Sequence, residues 1–206
     1  METRCPFCTP SEYEERLVGS IGSFNVIATL GQITDGGHLL LVPRSHPICL
    51  GALENTAELG MSASRLCALL AKEYNTSNVT YFEHGMVGQT VPHAHLHVVP
   101  ANVALDIGKR VHRDFPTCLV EGFVDFRSFH FAYALEQKPY LLWKESNESL
   151  SVCWNPPSSP QYFRNMVAEV LGRPERANWR NMDAKLDRKL YLETVQRLKK
   201  YFPSGG

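Results

Sequence analysis

The stretch Pro92-His93-Ala94-His95-Leu96-His97-Val98-Val99-Pro100 decides how the chain is read. Three imidazoles occupy every second position, with Ala94, Leu96 and Val98 between or beside them. A β-strand sends alternate side chains to opposite faces, so His93, His95 and His97 share one face while the apolar residues turn to a core. The row has one bland reading, a polar strand face, and two chemical ones. Imidazoles two apart on a strand can ligate zinc together. Equally, one ring can act as a nucleophile whose neighbours set its tautomer and charge.

Working outward, Gly88-Gln89-Thr90 lies just upstream of the row, and Gly37-His38-Leu39-Leu40-Leu41-Val42-Pro43-Arg44-Ser45-His46 lies well before it. With these surroundings the run fits the His-φ-His-φ-His-φ-φ signature, φ being hydrophobic. The sequence thus resembles the histidine triad (HIT) superfamily of nucleotide hydrolases and transferases over about residues 5 to 100. Beyond that the similarity is looser, to long bacterial HIT proteins.

The resemblance implies an α+β fold, a HIT-like antiparallel sheet with a long helix packed on it. A mixed α/β C-terminal extension is expected to follow, with a HIT domain over residues 1–110 and the extension over 111–206. The implied activity is cleavage of a nucleotide phosphoanhydride, phosphoester or phosphoramidate bond. His95 would attack phosphorus to give a covalent nucleotidyl-histidine, which water releases. His97 and Thr90 would stabilise phosphate charge, and His38 would hold the His95 ring. Gly88 and Gln89 sit in a glycine-containing loop where backbone N–H groups can approach an anion.

Cys5-Pro6-Phe7-Cys8 opens the chain, and a Cys-x-x-Cys pair on its own is a redox motif, half a zinc site or chance. The resemblance implies completion by His46 and His93, giving a structural Zn2+ site of Cys5, Cys8, His46 and His93. The other cysteines, Cys49, Cys67, Cys118 and Cys153, lie in apolar stretches, so no disulfide framework is expected.

Two departures from the family pattern bear on specificity. Leu30, eight residues before His38, stands where nucleoside phosphoramidases carry an acidic residue for the ribose hydroxyls. Phe82-Glu83-His84-Gly85 stands where they have an asparagine near the phosphate. Family transferases such as galactose-1-phosphate uridylyltransferase carry glutamine in place of the third histidine, so His97 favours hydrolysis. A nucleotidyl transferase or phosphorylase, and a nucleotide-binding module with little turnover, remain as rival readings.

Composition bounds the rest. A chain of 206 residues with 44% hydrophobic content can bury a core, and 21 basic against 21 acidic residues leave no footprint for a long nucleic acid. The expected partner is a nucleotide or nucleotide conjugate, with no membrane, and the expected assembly is a homodimer. Without a signal-peptide run or a stretch of roughly 20 apolar residues, a soluble cytoplasmic protein is expected.

The local pattern predicts a short helix over 11–17, strands over Phe24–Leu30 and His38–Val42, a helix over Gly51–Tyr74 and a strand over Val79–His84. It further predicts a helix from about Val103 to Arg110, an ambiguous stretch over Asp125–Ala134, and a hairpin of Tyr140–Trp143 and Leu150–Trp154 around a polar Glu145–Ser149 segment. Helices over Pro160–Leu171 and Asp183–Tyr201 complete the chain. Gln161 and Arg164, near the start of the first of these, could aim donors at an anion, or could simply be a solvated helix start.

Overall fold

The computed structural model describes residues 5–145 and 148–202; Ser146 and Asn147, in the polar hairpin connection, lie outside the described residues. Eight strands form one sheet: β1 (Leu17–Ile21), β2 (Phe24–Ala28), β3 (Leu39–Pro43), β4 (Asn78–Gly85), β5 (Leu96–Ala101), β6 (Val120–Phe123), β7 (Tyr140–Lys144) and β8 (Leu150–Trp154). Their order is β1-β2-β3-β5-β4-β7-β8-β6, and each neighbouring pair is antiparallel. This is the expected α+β class. Residues after 115 add strands to the same sheet, because β7 pairs directly with β4.

Helices α1 (Thr56–Glu73), α2 (Ile107–Asp114), α3 (Phe126–Glu136), α4 (Tyr162–Val170) and α5 (Ala184–Leu198) cover both faces. On one face Leu59, Ala63, Leu66 and Leu70 of α1, with Phe126 and Phe129 of α3, pack on Leu39, Leu41, Leu96, Val98 and Leu142. On the other, Ile107 and Val111 of α2 and Phe163, Met166 and Val167 of α4 share a core with Phe82, Val99 and Trp143. Covering both faces explains why Leu39–Pro43 reads as an unbroken apolar run: a strand between two layers has no wet side. For the same reason the histidine row does not face water.

The structure shifts several expected elements. The helix read from Gly51 begins at Thr56, because Leu50–Ala52 is a 3-10 turn and the Asn55 side chain accepts from the Glu58 N–H as its cap. The helix read from Val103 begins at Ile107, since Asp106 takes a left-handed φ of 52°. Asp125–Ala134 resolves to helix through a reciprocal cap between Asp125 and Ser128. The expected helix over 11–17 is two 3-10 turns running into β1.

Candidate functional site

Register places the site. In the sheet Leu40 and Phe82 both sit opposite His97, and His84 sits opposite Leu141, so Leu40, His97, Phe82 and His84 project to one face. His93 precedes β5, yet the alternation holds: Ala94, Leu96 and Val98 are fully buried on the α1 side. On the triad side lies a cavity of about 300 Å³. His84, Gly88, Gln89, Thr90, His95, His97, Gln161 and Arg164 meet around it, with Phe7, Arg16, Leu30, Leu40 and Trp179 among the other walls. Of the sequence-predicted residues, Gly88, Gln89, Thr90, His95, His97, Gln161 and Arg164 thus meet at one space while His38 lies outside its lining, and Leu30 offers it an apolar wall.

Hydrogen bonds fix the tautomers. The His95 Nδ1 lies 2.7 Å from the His93 carbonyl oxygen. A carbonyl only accepts, so Nδ1 carries the proton and Nε2 keeps a bare lone pair. Burial pushes the His95 pKa down to about 4, against the helping pull of that carbonyl, so the ring is neutral at physiological pH. These are the properties of a nucleophilic imidazole.

His97 is held differently. Its Nδ1 is 2.9 Å from His38 Nε2, and its ring stacks on Phe82 with centroids 4.7 Å apart. The expected bond from His38 to His95 is therefore corrected: His38 orients His97, because β3 pairs Leu40 with His97 and brings the neighbouring turn alongside that ring. His38 is fully buried and its Nδ1 has no partner among the described residues. An unpaired buried lone pair is tolerated better than an unpaired N–H, so the proton belongs on Nε2 and is donated to His97. His97 must then carry its own proton on Nε2, making it a donor. Burial holds both rings well below the usual histidine pKa.

Two arginines and one acid, Glu12, bring charge to the cavity wall. Arg164 of α4 is 3% exposed and donates from Nη2 to the Gly31 carbonyl at 2.8 Å and from Nε to the Ala177 carbonyl at 3.3 Å. Arg16 is similarly buried and donates to the Ala28 and Glu12 carbonyls, each at 3.0 Å. Both guanidiniums bond to backbone oxygens rather than to carboxylates. Burial draws the Arg164 pKa down to about 10, partly offset by Asp187, so it stays charged. Buried guanidiniums that are hydrogen-bonded only to backbone oxygens, and are only partly offset by Asp187 and Glu12, favour an anionic ligand.

The loop before the triad is locked in place. Gly88 has a φ of +67°, and a Cβ there would come within 2.7 Å of the Ser159 carbonyl oxygen. Its own carbonyl accepts from the Gln161 N–H at 3.1 Å, tying the loop to the start of α4. Gln89 spends its amide N–H groups on the Ile48 and His93 carbonyls, at 3.0 and 3.2 Å. It therefore braces the carbonyl that holds His95. Thr90 lines the cavity and is exposed.

Beside the cavity, the ligand atoms of Cys5, Cys8, His46 and His93 all lie within 4.8 Å of one another and could hold a metal ion. His93 Nδ1 is 3.5 Å from each sulfur, and His46 Nδ1 is 3.2 Å from the Cys8 sulfur. Tetrahedral zinc with ordinary bond lengths separates S and N ligands by about 3.6 Å, so the set fits. Each ring also turns its Nε2–H to a backbone carbonyl, His46 to Pro92 and His93 to Pro43, both at 2.9 Å. That leaves both Nδ1 lone pairs for a metal, the usual outer support of a ligating histidine.

Sequence reasoning left His84 unassigned and passed over Arg16, Phe7 and Trp179 as site residues. The alternation of Phe82 and His84 was visible, but only the β4–β5 register puts that face beside His97. Among the described residues no helix is long and apolar enough to cross a membrane.

The chain is similar to yeast Ap4A phosphorylase Apa2 in complex with Ap4A, at 14% identity and a TM-score of 0.49, over 91% of this chain and 79% of that one. It is similar also to the same yeast protein in complex with AMP, at 16% and 0.48 over 75% of this chain, and to a Hit-like protein involved in cell-cycle regulation from Bartonella henselae, at 19% and 0.35 over 41%. The matched regions span 64% and 65% of those two chains, under two thirds of their length. No curated protein matches the chain in sequence. The family model described as "Protein similar to CwfJ C-terminal" matches residues 1–115, more than half of the 206. This chain belongs to that family, and its residues 93–99 carry the His-φ-His-φ-His-φ-φ pattern.

Proposed function

We propose that the protein is a nucleotidyl hydrolase that works through a covalent intermediate on His95. The observation that carries this reading is the bond from His95 Nδ1 to the His93 carbonyl, which leaves Nε2 unprotonated beside a cavity walled by Arg164. In the first step the Nε2 lone pair forms a bond to phosphorus and the bond to the leaving group breaks. The leaving group departs with the electron pair and takes up a proton. In the second, water attacks phosphorus, the P–N bond breaks, and a nucleoside monophosphate is released with His95 restored. Splitting the displacement this way is what an imidazole nucleophile offers.

The neighbouring groups have matching roles. His97, as an Nε2–H donor set by His38, and Thr90 stabilise charge on the phosphoryl oxygens. Arg164 and Arg16 balance the phosphate charge, with Gly88, Gln89 and Gln161 shaping the loop that meets it. The substrate is a nucleotide or nucleotide conjugate carrying a phosphoanhydride, phosphoester or phosphoramidate bond. Cys5, Cys8, His46 and His93 would hold a structural Zn2+, which supplies rigidity rather than chemistry because four protein ligands close the site. His93 belongs to both arrangements, since its ring faces the cysteines while its carbonyl orients His95.

A thermal-shift screen against nucleotides, dinucleoside polyphosphates and sugar nucleotides identifies the ligand, because binding to the native state raises its stability. Brief exposure to a labelled hit followed by intact and peptide mass spectrometry then tests the reaction. A nucleotidyl adduct on His95 that decays in water supports the hydrolase. Decay only when inorganic phosphate is added makes the protein a phosphorylase, and binding without adduct makes it a nucleotide-binding module.

A further inference from the structure

His84 is 4% exposed, lines the same cavity and stands on β4, two residues beyond Phe82 on the triad face. Its ring is perpendicular to that of His97, at 89° with centroids 6.0 Å apart, and packs on Phe163 at 5.4 Å. The decisive contact is with backbone: the Phe163 N–H donates to His84 Nε2 at 3.1 Å. Phe163 is in the first turn of α4, where N–H groups lack partners within the helix, so His84 serves as an acceptor for one of them. A nitrogen that accepts from an amide cannot carry a hydrogen of its own. The neutral ring must therefore hold its proton on Nδ1, which is the remaining polar atom of a residue in the cavity wall.

We propose that His84 is a further donor to the phosphoryl group, its Nδ1–H held in readiness by the amide of Phe163 and directed at oxygens of the group that His95 attacks. Burial, followed by the nearby His95 and Arg164, draws its pKa down to about 3, so it stays neutral and acts as a fixed hydrogen-bond donor. A donor already oriented where charge develops stabilises the transition state without rearranging. The proposal also gives the later part of the chain a role at the triad. The position of α4 decides which nitrogen of a β4 histidine is protonated. This rests on the function proposed above, and its test is arranged to separate the two.

Two substitutions divide the ring's duties. In His84→Asn the side-chain amide can stand where Nδ1 stood, but nothing reaches the Phe163 N–H. In His84→Gln the amide oxygen can stand where Nε2 stood and accept from Phe163, but the Nδ1 donor is gone. If His84 donates to the substrate, His84→Gln keeps its thermal stability and loses about a hundredfold in single-turnover rate, whereas His84→Asn is less stable yet loses only about threefold to tenfold. If His84 only caps α4, the order reverses: His84→Gln turns over like the parent and His84→Asn suffers, and the proposal is overturned. Nitrogen-15 NMR of the imidazoles gives a readout independent of turnover, with orthovanadate as the phosphoryl probe. The expected result is a neutral His84 protonated on Nδ1 whose Nδ1 signal moves on adding vanadate, and a vanadate affinity at least tenfold weaker in His84→Gln than in His84→Asn. Protonation on Nε2, or vanadate binding that leaves Nδ1 unmoved, overturns the proposal. Should the parent protein form no His95 adduct with any substrate, the hydrolase reading falls, and the vanadate titration alone decides the role of His84.

Discussion

His38 and His97 are joined by one hydrogen bond, Nε2 to Nδ1 at 2.9 Å, and through it a residue that does not touch the cavity sets what the cavity contains. Removing the bond frees His97 to exchange tautomers and present a lone pair where a donor is needed. His38→Leu is expected to lower kcat by about tenfold to a hundredfold with little change in KM. His38→Gln, which can still donate from its amide, should lose less. Steady-state kinetics on the pair checks this, and equal losses in both variants would count against the relay.

His95 and His97 are separable in the same assay. His95→Asn deletes the covalent route, so turnover and adduct should both vanish by orders of magnitude while the metal content is unchanged. His97→Asn removes one donor and should cost about a hundredfold to a thousandfold with adduct still detectable. Adduct trapping on both variants is the measurement, and near-normal turnover in His95→Asn refutes the mechanism.

The four ligand atoms drawn together near the N-terminus predict one zinc per chain, measured by elemental analysis of protein purified without chelator. A Cys5→Ser/Cys8→Ser double variant should be free of it. Because metal binding is coupled to folding, a chelator should lower the apparent stability by several kcal/mol, and about 3 kcal/mol would appear as a fall in Tm of about 6–12 °C. Full zinc retention by the double variant refutes this assignment.

On the far face of β4, Glu83 is 1% exposed and accepts hydrogen bonds from the Leu50 N–H at 2.7 Å and the Tyr140 hydroxyl at 2.5 Å. Burial raises its pKa to about 8, those two bonds opposing. An unfolded glutamate titrates near about 4.3, so between these values the native chain holds a proton that the unfolded chain releases. Its contribution to stability is therefore full below about pH 4.3, declines as pH rises toward 8, and is constant beyond. Glu83→Gln should remove this decline, which is on the order of a few kcal/mol. Urea unfolding of both proteins at pH 5, 6, 7 and 8 should show the difference between them shifting steadily toward the variant.

How much of this was legible beforehand depended on range. The triad strand, the Cys-x-x-Cys pair and the β7–β8 hairpin announce themselves because their spacing is local. Strands β1 and β6 did not: β1 carries Gly19 inside five residues, and β6 is a four-residue edge with Glu121 and Gly122 exposed. Neither offers the alternation that marks a half-buried strand. At the site, Arg164 was within reach of the sequence because it opens a helix, but its burial was not, since that depends on Gly31 and Ala177 from distant segments. The motif around His38 marks it as an orienting residue, but only strand register tells which ring it meets.

The pairing of β7 with β4 has a consequence for how the protein comes into being. As the chain is synthesised, every residue of the triad strand and its partner β3 has emerged before Tyr140. Until then β4 has β5 on one side and nothing on the other, a row of open N–H and C=O groups along buried-type residues Tyr81 to Gly85. Such an edge invites pairing with other chains. A nascent chain ended near residue 115 should therefore aggregate or recruit chaperones, and one extended through β7, β8 and the covering helices α4 and α5 should not; ribosome-bound chains of the two lengths, compared by protease resistance, would show the edge closing.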